Sequence, residues 1–381
     1  MNVKNIKVYV GLSGGVDSSV SALLLKQQGY DVTGVFIKGW QPDWIPCTWK
    51  DDRISAMRTA AYLDISFITL DLESTYKNKV VNYILDEYAK GNTPNPDMLC
   101  NREVKFGEFL KWAMSMGVDK VAMGHYAQVQ ENTPNPSLKK EGESSNYVMK
   151  EGADKEKDQT YFLSQLTQKE LSKTLFPIGH LQKSEVRKIA SVNNLPVATR
   201  KDSQGICFVG DLEMKDFLKR ELNPASGNVV NEHGEVIGEH DGAILYTIGE
   251  RHGFRIFNHS TNQNVFHVVD KKINENILVV SSNLIGTWAP YQGAGTREAK
   301  SPGDVTIKNI SFTQNYEQLQ KATNLSIRIR YRGVKIEVLI DNYDNGILKL
   351  KTKNSENLNY ASGQFAVFYD GQKCLGGGEL V

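Results

Sequence analysis

The stretch Gly11-Leu12-Ser13-Gly14-Gly15-Val16-Asp17-Ser18-Ser19 decides the fold of this chain. It lies between a strand-like run, residues 6–10, and a helix-like run, residues 18–28. Adjacent glycines let backbone N–H groups approach an anion, serine hydroxyls add donors, and the start of a helix adds partial positive charge. The loop lacks the Gly-Lys-Ser/Thr ending of a Walker A loop, so it predicts a phosphate site of another kind. A tight glycine turn with a serine N-cap is the structural alternative.

The sequence around this loop predicts the fold class. Strand-like and helix-like segments alternate over residues 1–204, which predicts a doubly wound parallel sheet with ligands beyond the C-terminal ends of its strands. Residues 127–158 break the pattern with prolines and a charged run, and predict an exposed, mobile insertion. Glycine-rich turns over residues 205–284 predict a small mixed central domain, and almost purely β patterns over residues 285–381 predict a C-terminal β-barrel.

Composition excludes several classes of protein. The 381 residues are 40% hydrophobic and 23% charged, which is typical of a globular protein and not of a disordered or collagen-like chain. The net charge of +1 creates no bulk field for nucleic acid. No apolar run approaches the roughly 20 residues that cross a bilayer, and the N-terminus has no secretory pattern. We therefore expect a cytoplasmic protein without a membrane partner.

Two of the four cysteines follow polar, motif-like segments. Cys100 comes shortly after Asn95-Pro96-Asp97, and the helix pattern predicted from Lys105 to Met116 would leave Cys100 in a loop before a helix N-terminus. Such a position lowers a thiol pKa, and Asp97 is near enough to act as acid or base. Cys207 lies in a glycine-containing polar segment, residues 201–208. Each thiol alone is more simply a buried structural group, but the pair favours chemistry.

The other cysteines predict no chemistry. Cys47 is interpreted as a loop or packing residue and Cys374 as a structural one. No Cys-x-x-Cys pair is present, so we expect no structural metal.

The glycine–serine loop resembles that of the ATP-pyrophosphatase superfamily, whose members split ATP into AMP and pyrophosphate. The resemblance implies that residues 11–19 bind ATP and that Asp17 holds Mg²⁺ against the phosphates. Ile37 ends the second predicted strand, where adenine would lie, and Gly124 ends a later strand and could close the nucleotide site.

A set of motifs in order along the chain makes the resemblance more specific. They are the loop, Asn95-Pro96-Asp97 with Cys100, Gly124-His125-Tyr126-Ala127, Lys157-Asp158-Gln159 and Gly205-Ile206-Cys207-Phe208. Together they resemble the tRNA-specific 2-thiouridylase family (tRNA-uridine 2-sulfurtransferases) over essentially the whole chain. One departure is Ile37-Lys38-Gly39-Trp40, where the family usually reads closer to Met-Lys-Asn-Trp.

The resemblance implies a reaction. ATP would adenylate the 2-oxygen of the wobble uridine in tRNA, and AMP would leave as sulfur attacks carbon 2. The sulfur would be a persulfide on Cys207, delivered by a sulfur-relay protein, and Cys100 would resolve the intermediate.

The resemblance also implies which residues contact tRNA. They are Asn95, Pro96, Asp97, His125, Lys157, Asp158, Gln159, Arg330, Tyr331 and Gln364. Arg328, Arg330 and Arg332 alternate with apolar residues in a predicted strand over residues 325–332, so they form either a phosphate-contacting row or a solvated barrel face.

Two alternatives remain at this stage. One is another ligase of the same superfamily, of the GMP-, NAD- or argininosuccinate-synthetase type, which would not need the two cysteines. The other is a non-catalytic tRNA-binding or redox-sensing module that has kept a nucleotide loop. The sequence leaves open the tRNA substrates, the sulfur donor, the oligomeric state and whether Cys100 and Cys207 are adjacent without tRNA.

Overall fold

The computed structural model describes residues 5–45, 49–132, 146–202, 213–257, 265–282, 303–354, 358 and 360–381. The strands of the N-terminal region are β1 (Lys7–Gly11), β2 (Asp31–Lys38), β3 (Ser66–Asp71), β4 (Lys120–Ala122), β5 (Ala127–Asn132), β6 (Asn146–Glu151) and β7 (Thr174–Leu175). The single-segment helices are α1 (Val16–Gln27), α2 (Trp49–Tyr62), α5 (Thr160–Leu163), α6 (Gln168–Leu171) and α7 (Lys183–Val192).

Two further helices contain a π-helical segment in the middle. Helix α3 runs through Glu73–Tyr76, Lys77–Val81 and Asn82–Ala89. Helix α4 runs through Pro96–Leu99, Cys100–Phe109 and Leu110–Ser115. π-helical turns are rare in proteins, and those that occur are often at functional sites. The π-helical segment that begins at Cys100 therefore makes α4 a candidate for a functional helix.

The first sheet confirms the predicted doubly wound fold. Its strand order is β3-β2-β1-β4-β7, and every pairing is parallel. Strand β2 buries both faces: Val35 and Ile37 belong to one hydrophobic cluster and Phe36 to another. Helices α1, α2 and α7 cover one face and α3 and α4 the other, as continuous apolar strands require. The glycine–serine loop lies at the C-terminal end of β1.

The central region forms a second, mixed sheet. Its elements are α8 (Met214–Leu222), β8 (Gly227–Val230), β9 (Val236–His240), a 3₁₀ turn (Ala243–Leu245), β10 (Arg255–Ile256), β11 (His267–Lys272) and β12 (Ile277–Ser281). The strand order is β10-β9-β8-β12-β11, with β8 parallel to β12. The buried Phe217 and Leu218 of α8 join the cluster that also holds α4, so this central region packs next to α4.

A closed barrel follows. It consists of β13 (Asp304–Phe312), α9 (Tyr316–Gln320), β14 (Leu325–Arg328), β15 (Ile336–Asp344), β16 (Ile347–Thr352), β17 (Phe365–Asp370) and β18 (Lys373–Leu380). The order β13-β16-β15-β14-β17-β18 closes because β18 also pairs with β13. The barrel prediction is confirmed. The domain boundaries predicted after residues 204 and 284 lie outside the described residues and stay predictions.

Part of the predicted mobile insertion is instead ordered sheet. Strands β5 and β6 form an antiparallel hairpin, and β6 continues the barrel sheet by pairing with β18, Cys374 opposite Met149. The prediction was wrong for these strands because charged residues such as Lys150 dominated the composition, while Met149 is fully buried. Residues 133–145 of that segment lie outside the described residues.

Met149→Ala tests the importance of this hairpin. We expect a loss of about 2–4 kcal/mol in the free energy of unfolding, because a fully buried methionine leaves a cavity between hairpin and barrel. Denaturant titration of the full chain measures it. Gln130→Ala, on the neighbouring strand, is the control and should cost less than about 0.5 kcal/mol. Equal stability of the Met149 variant and wild type would contradict the ordered hairpin.

Among the described residues, no helix combines the length and apolar character that a membrane span requires.

Candidate active site

The glycine–serine loop joins β1 to α1 in the geometry of an anion site. Gly15 is the N-cap of α1, so the first backbone N–H groups of the helix have no partners within it. Gly14 has a φ of +80°, and a Cβ there would collide with the carbonyl oxygen of Asp52. The Ser13 and Ser18 hydroxyls lie 3.2 Å apart, and Ser19 Oγ donates to the Gly15 carbonyl at 2.8 Å. The predicted ATP-binding residues 11–19 therefore form the connection between β1 and the first turn of α1.

Gly124 lies directly against this turn. A Cβ on Gly124 would lie 2.7 Å from the backbone nitrogen of Ser18 and 2.9 Å from the carbonyl carbon of Asp17. The glycine is thus required by close approach of two backbones at the ends of β1 and β4. Ile37, the other predicted nucleotide residue, lies near the end of β2 with its side chain buried.

Gly124→Ala should disturb the loop without unfolding the protein. The backbone at Ser18 must shift by several tenths of an ångström, and we expect ATP affinity to fall by about tenfold or more, as measured by calorimetric titration. Gly117→Ala is the control, since that glycine has a φ of +73° and no atom of the described residues would lie within 4 Å of a Cβ there. It should lower thermal stability but leave ATP affinity unchanged. Unaltered affinity in the Gly124 variant would contradict the contact.

Asp17 is held by a lysine that sequence reasoning missed. The ammonium of Lys183 contacts Asp17 Oδ1 at 2.7 Å and Oδ2 at 2.8 Å, and it also contacts Asp202 at 2.9 Å. The Tyr126 hydroxyl donates to Asp17 Oδ1 at 2.8 Å. Burial, followed by the Asp17 carboxylate, raises the pKa of Tyr126 well above its ordinary value, so Tyr126 acts as a neutral donor.

The sequence signal for a role of Lys183 is its place at the start of a helix, where the helix dipole disfavours a cation. It is the first residue of α7, where a cation is unfavourable, so a nearly buried lysine there requires anionic partners. Helix α7 starts at Lys183 after the N-cap Gln182, whose capping box uses Glu185.

Asp202 connects Lys183 to two other cations. It pairs with Lys157 at 3.1 Å and with Arg187 at 2.5 Å. Burial opposes its ionisation, but the hydrogen bonds from Lys183 and Lys157 outweigh that effect and lower the pKa of Asp202 to about 2.

The side chains near the loop show how the predicted Mg²⁺ could be bound. The Asp17 carboxylate supplies the hard oxygen ligands that Mg²⁺ prefers, and it is about one-third exposed. Over the residues that the structure describes, no group of three or more histidine, cysteine or acidic side chains could hold a metal by itself. Asp17 therefore fits Mg²⁺ only as one ligand, with nucleotide phosphates supplying others, and the ion would share this carboxylate with Lys183.

Cys100 lies within a helix and not in the predicted loop before one. Helix α4 begins at Pro96, because the Asn95 side chain accepts the Met98 N–H at 3.1 Å and proline at the first helical position loses no hydrogen bond. Cys100 is fully buried, and Asp97 lies one turn earlier on the same side of the helix. The prediction of a helix start at Lys105 was therefore wrong by about nine residues.

Of the remaining cysteines, only Cys374 lies within the part of the chain that the structure describes. Cys374 is buried in β18, and burial raises its pKa to about 12, which agrees with a structural thiol. Cys47 and Cys207 lie outside the described residues, so the predicted Cys207 site and its spacing from Cys100 stay predictions.

His125 follows Gly124 and is enclosed by aromatic rings. Its ring centroid lies 5.8 Å from those of Phe106 and Phe176. Its Nδ1 atom is buried and has no hydrogen-bond partner within the described part of the chain. Burial, with a smaller contribution from Lys105, lowers the pKa of His125 well below its ordinary value. The imidazole is therefore neutral. A ligand could form a hydrogen bond with Nδ1 without displacing a partner among the described residues.

In the Lys157-Asp158-Gln159 segment, the side chains of Asp158 and Gln159 accept hydrogen bonds from backbone N–H groups of neighbouring segments. Gln159 Oε1 accepts the Tyr126 N–H at 3.0 Å, and Asp158 Oδ1 accepts the Gly152 N–H at 3.0 Å. Burial raises the pKa of Asp158, while its hydrogen bonds oppose that shift. Asp158 is 4% exposed, so the structure gives this side chain internal partners.

The barrel places its predicted tRNA residues near α4. Tyr331 packs on Phe162 with ring centroids 4.5 Å apart, and the Phe162 carbonyl accepts Asn101 Nδ2 at 3.1 Å, next to Cys100. Arg330 is exposed. The row of three arginines is not formed as predicted, because β14 ends at Arg328, which is ion-paired.

Gln364 lies in a turn that reaches the start of α4. Its Oε1 atom accepts the Ala361 N–H at 2.9 Å. Within the same turn, the Ser362 carbonyl accepts the Thr93 N–H at 2.8 Å, two residues before Asn95. The barrel turn and the Asn95-Pro96-Asp97 motif are therefore neighbours.

Comparisons with known proteins agree with this arrangement over the whole chain. Residues 6–211 match the tRNA methyl transferase HUP domain, residues 215–282 the tRNA methyl transferase PRC-barrel domain, and residues 303–380 the aminomethyltransferase β-barrel domain. The tRNA-specific 2-thiouridylase MnmA of Lacticaseibacillus paracasei is 42% identical over 99% of this chain and 94% of its own length. That of Ligilactobacillus salivarius is 40% identical over 98% of this chain and 95% of its own.

Solved structures are more distant. A 4-thiouridine synthetase–RNA complex with bound ATP is 13% identical, with a TM-score of 0.33, over 57% of this chain and 50% of that one. The assignment rests on the sequence relatives alone. Their identity, sustained over nearly the full length of each protein, shows that the chain belongs to the tRNA-specific 2-thiouridylase MnmA family.

Proposed function

We propose that the chain is a tRNA-uridine 2-sulfurtransferase that thiolates the wobble uridine of tRNA at the expense of ATP. The observation that carries the proposal is the 42% identity, over 99% of the chain, to a protein named tRNA-specific 2-thiouridylase. An anion-binding loop at the end of β1 and a helix carrying Cys100, which packs on the same parallel sheet, support it with chemistry.

The nucleotide half of the reaction uses residues 11–19, with Ile37 and Gly124 beside them. Backbone N–H groups at the start of α1 would bind phosphate, and the positive end of the helix would stabilise its charge. Mg²⁺, when bound, supplies charge neutralisation at the phosphates. Lys183 holds the Asp17 carboxylate from both oxygens and so fixes its orientation toward the nucleotide. The 2-oxygen of uracil attacks the α-phosphorus, pyrophosphate leaves, and an adenylated base results.

The sulfur half requires a thiol pair. A persulfide on Cys207, delivered by a sulfur-relay protein, attacks carbon 2 through its terminal sulfur, and the C2–O bond breaks as AMP leaves. The Cys100 thiolate then attacks the inner sulfur of Cys207, which forms a Cys100–Cys207 disulfide and leaves the terminal sulfur on the base. A thiol reductant must return the disulfide to two thiols before the next cycle.

The tRNA contacts are proposed for the residues that the motifs indicate. Asn95, Pro96, Asp97 and His125 would receive the flipped base, since the ring carbon cannot be reached inside a stack. Arg330, Tyr331, Gln364 and Lys157 would contact the surrounding RNA. For Asp158 and Gln159, whose side chains have internal partners, the contact would pass through the backbone.

One product assay tests the proposal. The purified full chain is given ATP, Mg²⁺, unmodified tRNA and a persulfide donor, and digested tRNA is examined by nucleoside mass spectrometry. We expect 2-thiouridine at the wobble position with AMP and pyrophosphate. ADP and orthophosphate as the products, or no thiolated nucleoside, would overturn it. Pyrophosphate release that needs ammonia and not tRNA would indicate an amide ligase, and tRNA binding without pyrophosphate a non-catalytic module.

A further inference from the structure

Four charged side chains lie together where the barrel meets the N-terminal region. They are Glu151 and Asp158 from the N-terminal region and Arg328 and Lys335 from the barrel, and we call them the interdomain cluster. Arg328 contacts Asp158 and Glu151 at 3.4 Å each, and Lys335 contacts Glu151 at 2.8 Å. The side chains of Glu151 and Asp158 are 6% and 3% exposed, so both acids are buried, and the half-exposed Lys155 also contacts Glu151 at 3.3 Å.

Each acid in the cluster depends on its cations. A buried carboxylate is unfavourable without compensating charge, and Arg328 supplies that charge to Asp158 beside the hydrogen bonds that Asp158 accepts from Gly152 and Thr160. The Arg328 guanidinium also lies 5.1 Å from the ring centroid of Tyr369. The Tyr369 hydroxyl lies 3.3 Å from Thr160 Oγ1, which in turn donates to both oxygens of Asp158 at 3.0 Å. The contacts form a closed set that fixes β14 against the start of α5.

The segment after Arg328 carries the predicted RNA contacts. The Ile329 carbonyl accepts the Tyr161 hydroxyl at 3.2 Å, and Tyr331 packs on Phe162. Phe162 is tied through its carbonyl to Asn101, the neighbour of Cys100. One short helix, α5, therefore links the cluster, the segment over residues 329–332 and the helix that carries Cys100.

We propose that Asp158 and Arg328 are a positioning pair for the thiolation reaction. Their ion pair fixes the segment that carries Arg330 and Tyr331 relative to the helix that carries Cys100. The side chains of Asp158 and Arg328 do not themselves contact tRNA. This inference rests on the proposed function. It assigns Asp158 a role through Arg328 in place of the direct RNA contact that the motif suggested, and it brings Arg328, which is largely buried, into the same role.

A mutant cycle between Asp158 and Arg330 tests the pair. In wild type, Arg330→Ala should raise the KM for tRNA about tenfold, because one phosphate contact is lost. In Asp158→Asn, the segment is already displaced, so adding Arg330→Ala should raise KM less than twofold further, with kcat changed less than KM. Concentrations are normalised to active enzyme by the single-turnover burst of AMP, so a loss of stability alone leaves the tenfold effect intact.

Controls keep the outcomes distinct. Lys351→Ala breaks an exposed barrel ion pair with Asp341 and should preserve the full tenfold effect of Arg330→Ala. If Asp158→Asn does not fold, the same cycle is run with Arg328→Lys, which keeps the charge but shortens the reach. A multiplicative double mutant would overturn the inference in favour of independent contacts. No thiolation by wild type would instead overturn the proposed function.

Discussion

Cys207→Ser is expected to lower thiolation of tRNA by more than about a thousandfold while ATP still binds. A serine hydroxyl cannot carry a persulfide, so no sulfur nucleophile can be presented to carbon 2. The reaction should stop at the adenylated base, which is detected as pyrophosphate release limited to one equivalent per enzyme. Calorimetric titration should give an ATP affinity within about twofold of wild type, because the nucleotide loop lies in another part of the chain.

Cys100→Ser separates the second thiol from the first. The persulfide can still attack, but the S–S bond is not broken in the next step, so we expect a covalent enzyme–tRNA adduct visible on a denaturing gel. Cys374→Ser is the matched control, since it alters a buried thiol in β18 and should keep the activity per folded enzyme. Full thiolation by the Cys207 variant, or equal losses in all three variants, would contradict the assigned roles.

Asp17→Asn is expected to lower tRNA-dependent pyrophosphate release by about a hundredfold to a thousandfold. The change removes the one anionic ligand that the loop offers to Mg²⁺, and among the described residues it leaves the Lys183 ammonium with Asp202 as its acidic partner. The release of pyrophosphate is followed by a coupled assay at saturating ATP and a range of Mg²⁺ concentrations. The apparent requirement for Mg²⁺ should rise together with the loss of rate.

Asp202→Asn serves as the matched control for that variant. It neutralises the other carboxylate on Lys183 but leaves Asp17 beside the phosphates, so pyrophosphate release should stay within about threefold of wild type. Comparable losses in the two variants would mean that the ion network as a whole, and not the Asp17 carboxylate, supports the nucleotide step.

The parallel sheet and the barrel could be predicted because their signals are local. Apolar periodicity in runs such as residues 31–37 and 364–369 reports directly which faces are buried. The phosphate loop was equally readable, since glycine, serine and a helix start are neighbours in sequence. The structure confirms the loop's position at the end of β1.

The features that were missed depend on partners far away in the sequence. Lys183 lies 166 positions from Asp17, and Arg328 lies 170 positions from Asp158. An alternating arginine pattern could not reveal that Arg328 faces a buried acid, and the prolines before Cys100 could as well stiffen a loop as start a helix. The pairing of β6 with β18 was missed for the same reason, since the two strands are far apart in the sequence.

That hairpin has a consequence for how the protein is made. Gln165 donates to the Gly377 carbonyl across 212 positions, and β6 completes its pairing only on β18. Contacts of such long separation close late, because the entropy of a large loop must be lost before they form. A ribosome-bound chain that still lacks residues 373–380 would therefore expose the open margin of β6, and chaperone protection should matter most during that interval.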